Sequence, residues 1–206
     1  MFDVYKIRKD FPILGKKVNN TDLIYFDNAA TSQTPNQVID AISNYYKENN
    51  SNIHRGLHSL SADATNKYEN SRSIIKNHFG AAHEHEIIFT SGTTHGINII
   101  SSGLEKSISS KDELIVSEME HHSNIVPWQM LCEKTGSKLK VIPINDDGTL
   151  DMDEYISLLT PKVKFVFINH VSNTLGIVNP LKEIIDLAHK NGSKVLVDGA
   201  QGAAHF

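Results

Sequence analysis

The stretch Lys194-Val195-Leu196-Val197-Asp198-Gly199-Ala200-Gln201 decides the fold. Its first four residues are almost wholly apolar, which is typical of a short strand buried on both faces of a parallel sheet. The strand ends in an acid, Asp198, and small residues follow it. Because open α/β sheets bind ligands beyond the carboxyl ends of their strands, Asp198 is predicted to lie at a binding site. An ordinary turn over 198–201 explains the same residues equally well.

The chain before this strand alternates between strand and helix patterns. Candidate strands are 86–90, Glu113–Ser117, 138–143, 164–169 and Lys194–Asp198, and candidate helices are 94–105, 124–134, 152–159 and 180–190. This alternation predicts an α/β fold, in which helices cover both faces of a mostly parallel sheet.

The first part of the chain is predicted to be helical. Helices are expected over 2–10, 35–47 and 61–79, with Gly80 ending the last of them. A polar break at 49–52 separates an N-terminal helical segment, residues 1–52, from an α/β domain, residues 53–206.

Composition narrows the class of protein. Of the 206 residues, 39% are hydrophobic, which is enough for a sizeable core. The net charge of −4 does not provide the positive surface that binding to nucleic acid or an anionic membrane requires. No apolar run approaches the roughly 20 residues that span a bilayer, and residues 1–10 lack the apolar core of a secretory signal. The single cysteine, Cys132, excludes an internal disulfide framework. We therefore expect a cytoplasmic protein with no nucleic acid or membrane partner.

Two polar loops follow predicted strands and could carry chemistry. Residues 90–96, Thr-Ser-Gly-Thr-Thr-His-Gly, join a strand to a helix, so they could bind phosphate through backbone N–H groups and hydroxyls. A helix start capped by Ser or Thr explains them equally well. Residues 118–124, Glu-Met-Glu-His-His-Ser-Asn, offer an imidazole that could stack on a planar ring and exchange protons. A capping turn with solvent-facing histidines is the alternative, and a metal is disfavoured because no second ligand cluster has suitable spacing.

A third loop, 169–176, contributes Asn173, whose amide could bind a phenolic oxygen or a substrate carboxylate; alone, this is an ordinary polar loop. Together with Asp198, the three loops supply a phosphate cradle, a ring-stacking imidazole, an amide and a carboxylate. That carboxylate could keep a pyridinium nitrogen protonated, which pyridoxal 5′-phosphate (PLP) needs as an electron sink. The sequence therefore predicts PLP as the cofactor.

The motifs resemble those of group II cysteine desulfurases of the sulfur-mobilisation (SUF) type, class V aminotransferase-fold enzymes. The matching stretches occur in family order over nearly the whole chain; they are Tyr-Phe-Asp-Asn-Ala-Ala at 25–30, His-Arg-Gly-Leu-His at 54–58, Gly-Thr-Thr at 92–94, Met-Glu-His-His-Ser-Asn-Ile-Val-Pro-Trp-Gln at 119–129, Asn-His-Val-Ser-Asn-Thr-Leu-Gly at 169–176 and Val-Asp-Gly-Ala-Gln at 197–201. The run at 121–129 is the most specific.

The resemblance implies a fold-type I PLP-dependent transferase large domain and a role for each site residue. Thr93 and Thr94 would bind the phosphate, and His121 would stack on PLP and move protons. Asp198 would pair with the pyridine nitrogen and Gln201 with the phenolic oxygen. The substrate-binding residues would be Asn173, His54 and Ala30.

By the same resemblance, the reaction would convert L-cysteine to alanine and an enzyme persulfide for iron–sulfur cluster assembly. A sulfur-acceptor protein and a second copy of the chain would be the partners, and His54 and Arg55 would lie near a dimer interface. Cys132 matches a structural position, so we expect a buried, inert thiol.

The chain departs from the family pattern at Phe206. The lysine that binds PLP covalently, the persulfide cysteine and the substrate-binding arginine follow later in the family. The large domain is thus expected to be partial and inactive alone, with strand 86–90 lacking its neighbour and Lys194–Asp198 forming an open edge. A selenocysteine lyase, another class V enzyme or a non-catalytic fragment are the alternatives.

Overall fold

The computed structural model describes residues 2–206, which divide into two compact units at Phe89/Thr90. The first unit contains helices α1 (Val4–Arg8), α2 (Asn36–Asn44) and α3 (Ser59–Phe79), and a small antiparallel pair, β1 (Lys17–Val18) and β2 (Thr21–Asp22). None of the helices within residues 2–206 is long and apolar enough to cross a membrane.

The three predicted helices of the first unit are confirmed, with shifted ends. Asp3 caps α1, because its carboxylate accepts hydrogen bonds from the N–H groups of Tyr5 and Lys6, both at 3.1 Å. The helix predicted at 35–47 is α-helical only to Asn44 and continues as a π-helical turn, Tyr45–Asn49. Gly80 ends α3 with a φ of 65°, a left-handed conformation that glycine adopts without strain.

The strand predicted at 86–90 is wrong. Glu84–Glu86 forms a 3₁₀ turn, and the extended residues after it pair with no strand in the part of the chain that the structure describes. The carbonyl of Ile87 accepts a hydrogen bond from the Arg72 guanidinium, which also lies 4.9 Å from the centre of the Phe89 ring. A β-strand requires a neighbouring strand, and the resemblance had implied that this segment would lack one.

The second unit has the predicted alternation and confirms the α/β fold class. Its elements are α4 (Thr93–Leu104), β3 (Glu113–Ser117), α5 (Val126–Thr135), β4 (Lys138–Ile142), α6 (Met152–Leu158), β5 (Val163–Asn169), α7 (Leu181–Lys190) and β6 (Lys194–Asp198). The strands form a parallel sheet in the order β4-β3-β5-β6. Among the described residues β6 is an edge strand, as expected.

The core of the second unit lies on both faces of this sheet. All five residues of β3 are buried, and its three central residues, 114–116, are consecutive apolar residues rather than an alternating pattern. Ile115 packs on one face with Tyr155 of α6 and Ile184 of α7. On the other face, the Trp128 ring stacks on Phe167 with centroids 3.6 Å apart. Burying each of these large side chains contributes roughly 1.5–3 kcal/mol.

Helix α5 begins later than predicted. Residues His122–Asn124 form a 3₁₀ turn, and Ile125, with φ −120° and ψ −59°, separates this turn from the α-helix. Pro127 occupies the first turn of α5, where its missing N–H group is not needed. The polar loop at 118–124 is therefore a compact turn between β3 and α5.

Candidate active site

The polar loops of the second unit lie at one edge of its sheet. Because β3, β5 and β6 are parallel, the segments that follow Ser117, Asn169 and Asp198 all leave from their carboxyl ends. Helix α4 packs against α5 and against the 3₁₀ turn His122–Asn124, which brings it beside the first of these loops. This edge is where open α/β sheets bind ligands.

Thr93 and Thr94 are the first two residues of α4, and both are exposed. Gly92 is the residue before the helix, with a φ of 117°, and no side chain caps the helix start. The hydroxyls nearby are used locally: Thr90 Oγ1 donates to the Gly92 carbonyl at 3.1 Å, and Ser91 Oγ lies 2.8 Å from His95 Nδ1. The alternative of a Ser- or Thr-capped helix is therefore wrong, and the first-turn N–H groups lie at the positive end of the helix dipole without a side-chain acceptor.

His121 caps the 3₁₀ turn that follows it. Its Nδ1 accepts the Ser123 N–H group at 3.1 Å and lies 2.7 Å from Ser123 Oγ. Because a backbone N–H donates to Nδ1, the neutral imidazole carries its proton on Nε2. The ring is exposed, so the structure has both the capping turn and a solvent-facing histidine.

Asp198 is the last residue of β6 and is 7% exposed. Its Oδ1 accepts the Ala200 N–H group at 2.9 Å, so the strand-end and turn explanations of 198–201 both hold. Gln201 lies half-buried in the turns that follow. The neighbouring Gly202 lies so close to the His170 ring that any Cβ at this position would collide with it.

Asn173 lies at the exposed tip of the loop after β5. The loop is held by Ser172, whose carbonyl accepts the Gly176 N–H at 2.9 Å and whose hydroxyl accepts the Leu175 N–H at 3.2 Å. Gly176 adopts a φ of 70° where the loop turns back. The side chain of Asn173 is thus presented outward by a defined turn.

The other two predicted substrate residues belong to the first unit. His54 has a φ of 67°, and its Nε2 lies 2.8 Å from Glu69 Oε1. Ala30 lies in an exposed turn that the Thr31 N–H closes onto the Asp27 carbonyl at 3.1 Å. The structure therefore places His121, Asp198 and Asn173 at one edge of the sheet of the second unit, while His54 and Ala30 belong to the first unit.

Sequence reasoning missed Glu120, a buried carboxyl group in the loop after β3. It is 7% exposed, and burial raises its pKa from 4.5 to about 7, with a further contribution from the charge of Asp198. Hydrogen bonds from Ser117, Asn124 and the Asn169 backbone partly oppose this rise. Within Glu118-Met119-Glu120-His121-His122, nothing distinguishes this acid from an exposed one, because burial depends on how β3 and β5 pair.

The Glu120 contacts extend to the core of the unit. Ser117 Oγ lies 2.5 Å from Oε1, the Asn169 N–H donates to Oε1 at 2.9 Å, and Asn124 Nδ2 donates to Oε2 at 2.7 Å. Asn124 in turn accepts the indole N–H of Trp128 at 2.9 Å. The carboxyl group thus joins the end of β3, the end of β5 and the start of α5.

Cys132 is buried in α5, and burial raises the pKa of its thiol, so the prediction of a buried cysteine is confirmed. In residues 2–206 no three His, Cys, Asp or Glu side chains are grouped in a way that could hold a metal ion.

Comparison with known proteins identifies the family. Residues 24–206 match the pattern of aminotransferase class-V proteins. The chain belongs to the class-V aminotransferase family. A cysteine desulfurase of Shigella sonnei is 49% identical to this class-V chain, and the alignment covers 99% of this chain. The alignment covers 50% of that relative, so the chain spans about half the length of the curated relative it matches.

Solved structures agree with this class-V assignment and with the fold-type I expectation. The apo structure of a cysteine desulfurase from Thermococcus onnurineus NA1 matches with a TM-score of 0.92 and 38% identity, over 100% of this chain and 50% of that one. A C-DES mutant, solved with glycine covalently linked to its PLP cofactor, matches with a TM-score of 0.76 and 25% identity, over 95% and 50% of the two chains.

Proposed function

We propose that this chain is the N-terminal half of the catalytic unit of a PLP-dependent cysteine desulfurase. The observation that carries the proposal is the placement of a buried carboxylate, Asp198, at the end of β6 on the same sheet edge as His121 and Asn173. The similarity to cysteine desulfurases supports the substrate, L-cysteine.

The residues fit PLP by their chemistry. The start of α4 has no side-chain cap, so its N–H groups, with the hydroxyls of Thr93 and Thr94, suit a phosphate. Asp198 is an acceptor that is removed from water, as a pyridinium partner requires. Gln201 in the following turn offers an amide to the phenolic oxygen.

When bound, PLP supplies the electron sink for carbanion chemistry. The chain's part would be to hold the cofactor and to manage protons: His121 would cover the ring face and move a proton at Nε2, while Asp198 would keep the pyridine nitrogen protonated. Asn173 would orient the substrate, and the family resemblance alone assigns His54 and Ala30 to substrate binding. We propose that residues 53–206 form this part of the large domain and that residues 1–52 form a separate helical segment.

The finer proposals rest on the family resemblance. We place the enzyme in group II, of the SUF type, in the cytoplasm, where it would produce alanine and a persulfide for iron–sulfur cluster assembly. A homodimer and a sulfur-acceptor protein would be its partners. The covalent lysine and the persulfide cysteine would come from a segment that the 206 residues do not contain.

PLP binding tests the proposal. The chain has one tryptophan, Trp128, so quenching of its fluorescence by added PLP measures binding. We expect saturable quenching, and an approximately tenfold or greater rise in Kd when Thr93 and Thr94 are both replaced by alanine. Ser102→Ala, an exposed hydroxyl later in the same helix, is the control and should leave Kd unchanged. Absence of saturable binding, or equal Kd values in all three proteins, would contradict the proposal.

A further inference from the structure

Glu120 is an anomaly in the site because its carboxyl group is buried and forms no ion pair with any Lys, Arg or His within residues 2–206. Its hydrogen-bond partners are a hydroxyl, an amide and a backbone N–H group. The charged group that acts on its pKa is another acid, Asp198. Burial without a nearby cation disfavours the ionised form of a carboxyl group, and at Glu120 it raises the pKa to about 7.

The hydrogen bonds of Glu120 are compatible with the neutral acid. Two of the three partners can only donate. The Asn169 N–H donates to Oε1, and the Asn124 NH₂ group donates to Oε2. The orientation of the Asn124 amide is fixed because its oxygen accepts the Trp128 indole N–H. The Ser117 hydroxyl can donate or accept, so a proton on Oε1 can be directed at Ser117 Oγ, 2.5 Å away. All three contacts then persist in the protonated group.

Glu120 is also linked to Asp198 through the backbone. Asn169, whose N–H binds Glu120, is the register partner of Asp198 across the β5–β6 ladder. The next residue, His170, donates its backbone N–H to the Asp198 carbonyl at 2.9 Å. A displacement of the Glu120 carboxyl group would therefore reach the strand end that holds Asp198.

We propose that Glu120 is a positioning residue for Asp198: its carboxyl group ties the ends of β3 and β5 together and takes the proton of the two acids, so that Asp198 keeps the negative charge. The link to PLP rests on the proposed function, because Asp198 must be an anion to pair with a pyridinium nitrogen. The coupling between the two acids stands without the cofactor.

The other titratable groups nearby are engaged elsewhere. His121 is bound to Ser123, Glu118 accepts the Ile144 N–H at 3.3 Å on the β4 side, and the His170 ring packs on Phe206 with centroids 4.9 Å apart. The charge of Asp198 on β6 adds to the rise in the pKa of Glu120, although it contributes less than burial does.

Carbon-13 NMR of the glutamate side-chain carboxyl groups tests the coupling in the protein without PLP. The Glu120 signal is assigned by its loss in Glu120→Gln, or in Glu120→Asp where the first variant does not fold. We expect its titration midpoint near neutral pH, and a fall of about half a pH unit, roughly a threefold loss in proton affinity, in Asp198→Asn. Asp153→Asn, an exposed acid on α6, is the control and should leave the midpoint unchanged. A Glu120 signal that is ionised at every pH above about 5, or a midpoint indifferent to Asp198→Asn, overturns the proposal.

The absorbance of bound PLP tests the positioning role in the full-length enzyme. We expect the pH titration of the cofactor band to contain a step at the Glu120 midpoint, which Glu120→Gln removes and Glu133→Gln, an exposed acid on α5, retains. An identical titration in Glu120→Gln refutes the action on Asp198. If the wild-type protein binds no PLP, the proposed function fails, while the NMR titration still decides the coupling of the two acids.

Discussion

Replacing Glu120 with glutamine removes a buried ionisable group at nearly constant volume and should change how stability depends on pH. The pKa of Glu120 lies at about 7 in the folded protein, against 4.5 for an unperturbed glutamate. The native state therefore binds this proton more tightly than the unfolded state, and the free energy of unfolding falls as pH rises from 4.5 towards 7. The difference in pKa corresponds to about 3 kcal/mol, fully lost above the folded pKa.

Glutamine does not titrate, so it avoids that loss, but its NH₂ group cannot accept a hydrogen bond. In the variant the NH₂ group replaces one of the two carboxylate oxygens. It must therefore face either the Asn169 N–H or the Asn124 amide, and both of these groups donate. Leaving one such buried donor unpaired costs about 1–3 kcal/mol at every pH. We expect Glu120→Gln to be clearly less stable than the wild type at about pH 5, and similar to it or more stable at about pH 8.

Urea unfolding followed by Trp128 fluorescence measures the free energy of unfolding at each pH. Trp128 is a suitable probe because it stacks on Phe167 in the unit that contains Glu120. Between the two pH values the midpoint of the wild type should fall by on the order of 1 M more than that of Glu120→Gln. Glu133→Gln is the matched control and should follow the wild type. Parallel pH profiles for Glu120→Gln and the wild type would show that Glu120 is not a buried acid with a raised pKa.

Four further outcomes are expected. In the full-length enzyme, His121→Ala should lower turnover roughly 10²- to 10⁴-fold while weakening PLP binding much less, which kcat and cofactor titration measure; retained turnover with lost cofactor would contradict the role. Asp198→Asn should keep PLP bound but slow exchange of the substrate α-hydrogen with solvent; an unchanged exchange rate, followed by proton NMR, would exclude it as the pyridinium partner. Tyr155→Phe removes the 2.9 Å hydrogen bond to the Ile184 carbonyl and should lower the free energy of unfolding by about 1–3 kcal/mol in urea titrations; no change would mean that the carbonyl finds another donor. The 206-residue chain alone should form no alanine from cysteine above the background of free PLP, since it lacks a covalent nucleophile at the family's lysine position, and alanine formation would refute this.

Local patterns were sufficient for most of the second unit. Four strands were predicted from short apolar runs, and Lys194–Asp198 was placed correctly to the residue. These patterns succeed because helices cover both faces of the sheet, so the strand centres, such as 114–116 and 165–168, are short apolar runs. The segment at 86–90 has a similar apolar pattern, yet it forms no strand because an apolar run alone does not supply a hydrogen-bonding neighbour.

The site was predictable in part for the same reason. Asp198 and His121 follow strands directly, so the parallel sheet determines where they lie. Glu120 was not predictable, because its environment is made by Asn169, which is distant in sequence and reaches it only through the β3–β5 pairing. The hydrogen-bonded side of the His121 ring likewise depends on the turn at His122–Asn124.

The strand order also determines how the second unit must assemble. After β3 the chain forms β4 on one side and then crosses back to place β5 on the other, and every ladder in this sheet is parallel. No pair can therefore form as a local hairpin, as β1 and β2 can. Closing such long segments before any ladder hydrogen bonds form slows folding, and meanwhile the apolar centre of β3 stays accessible to other chains. The refolding yield of this protein should therefore fall steeply with protein concentration.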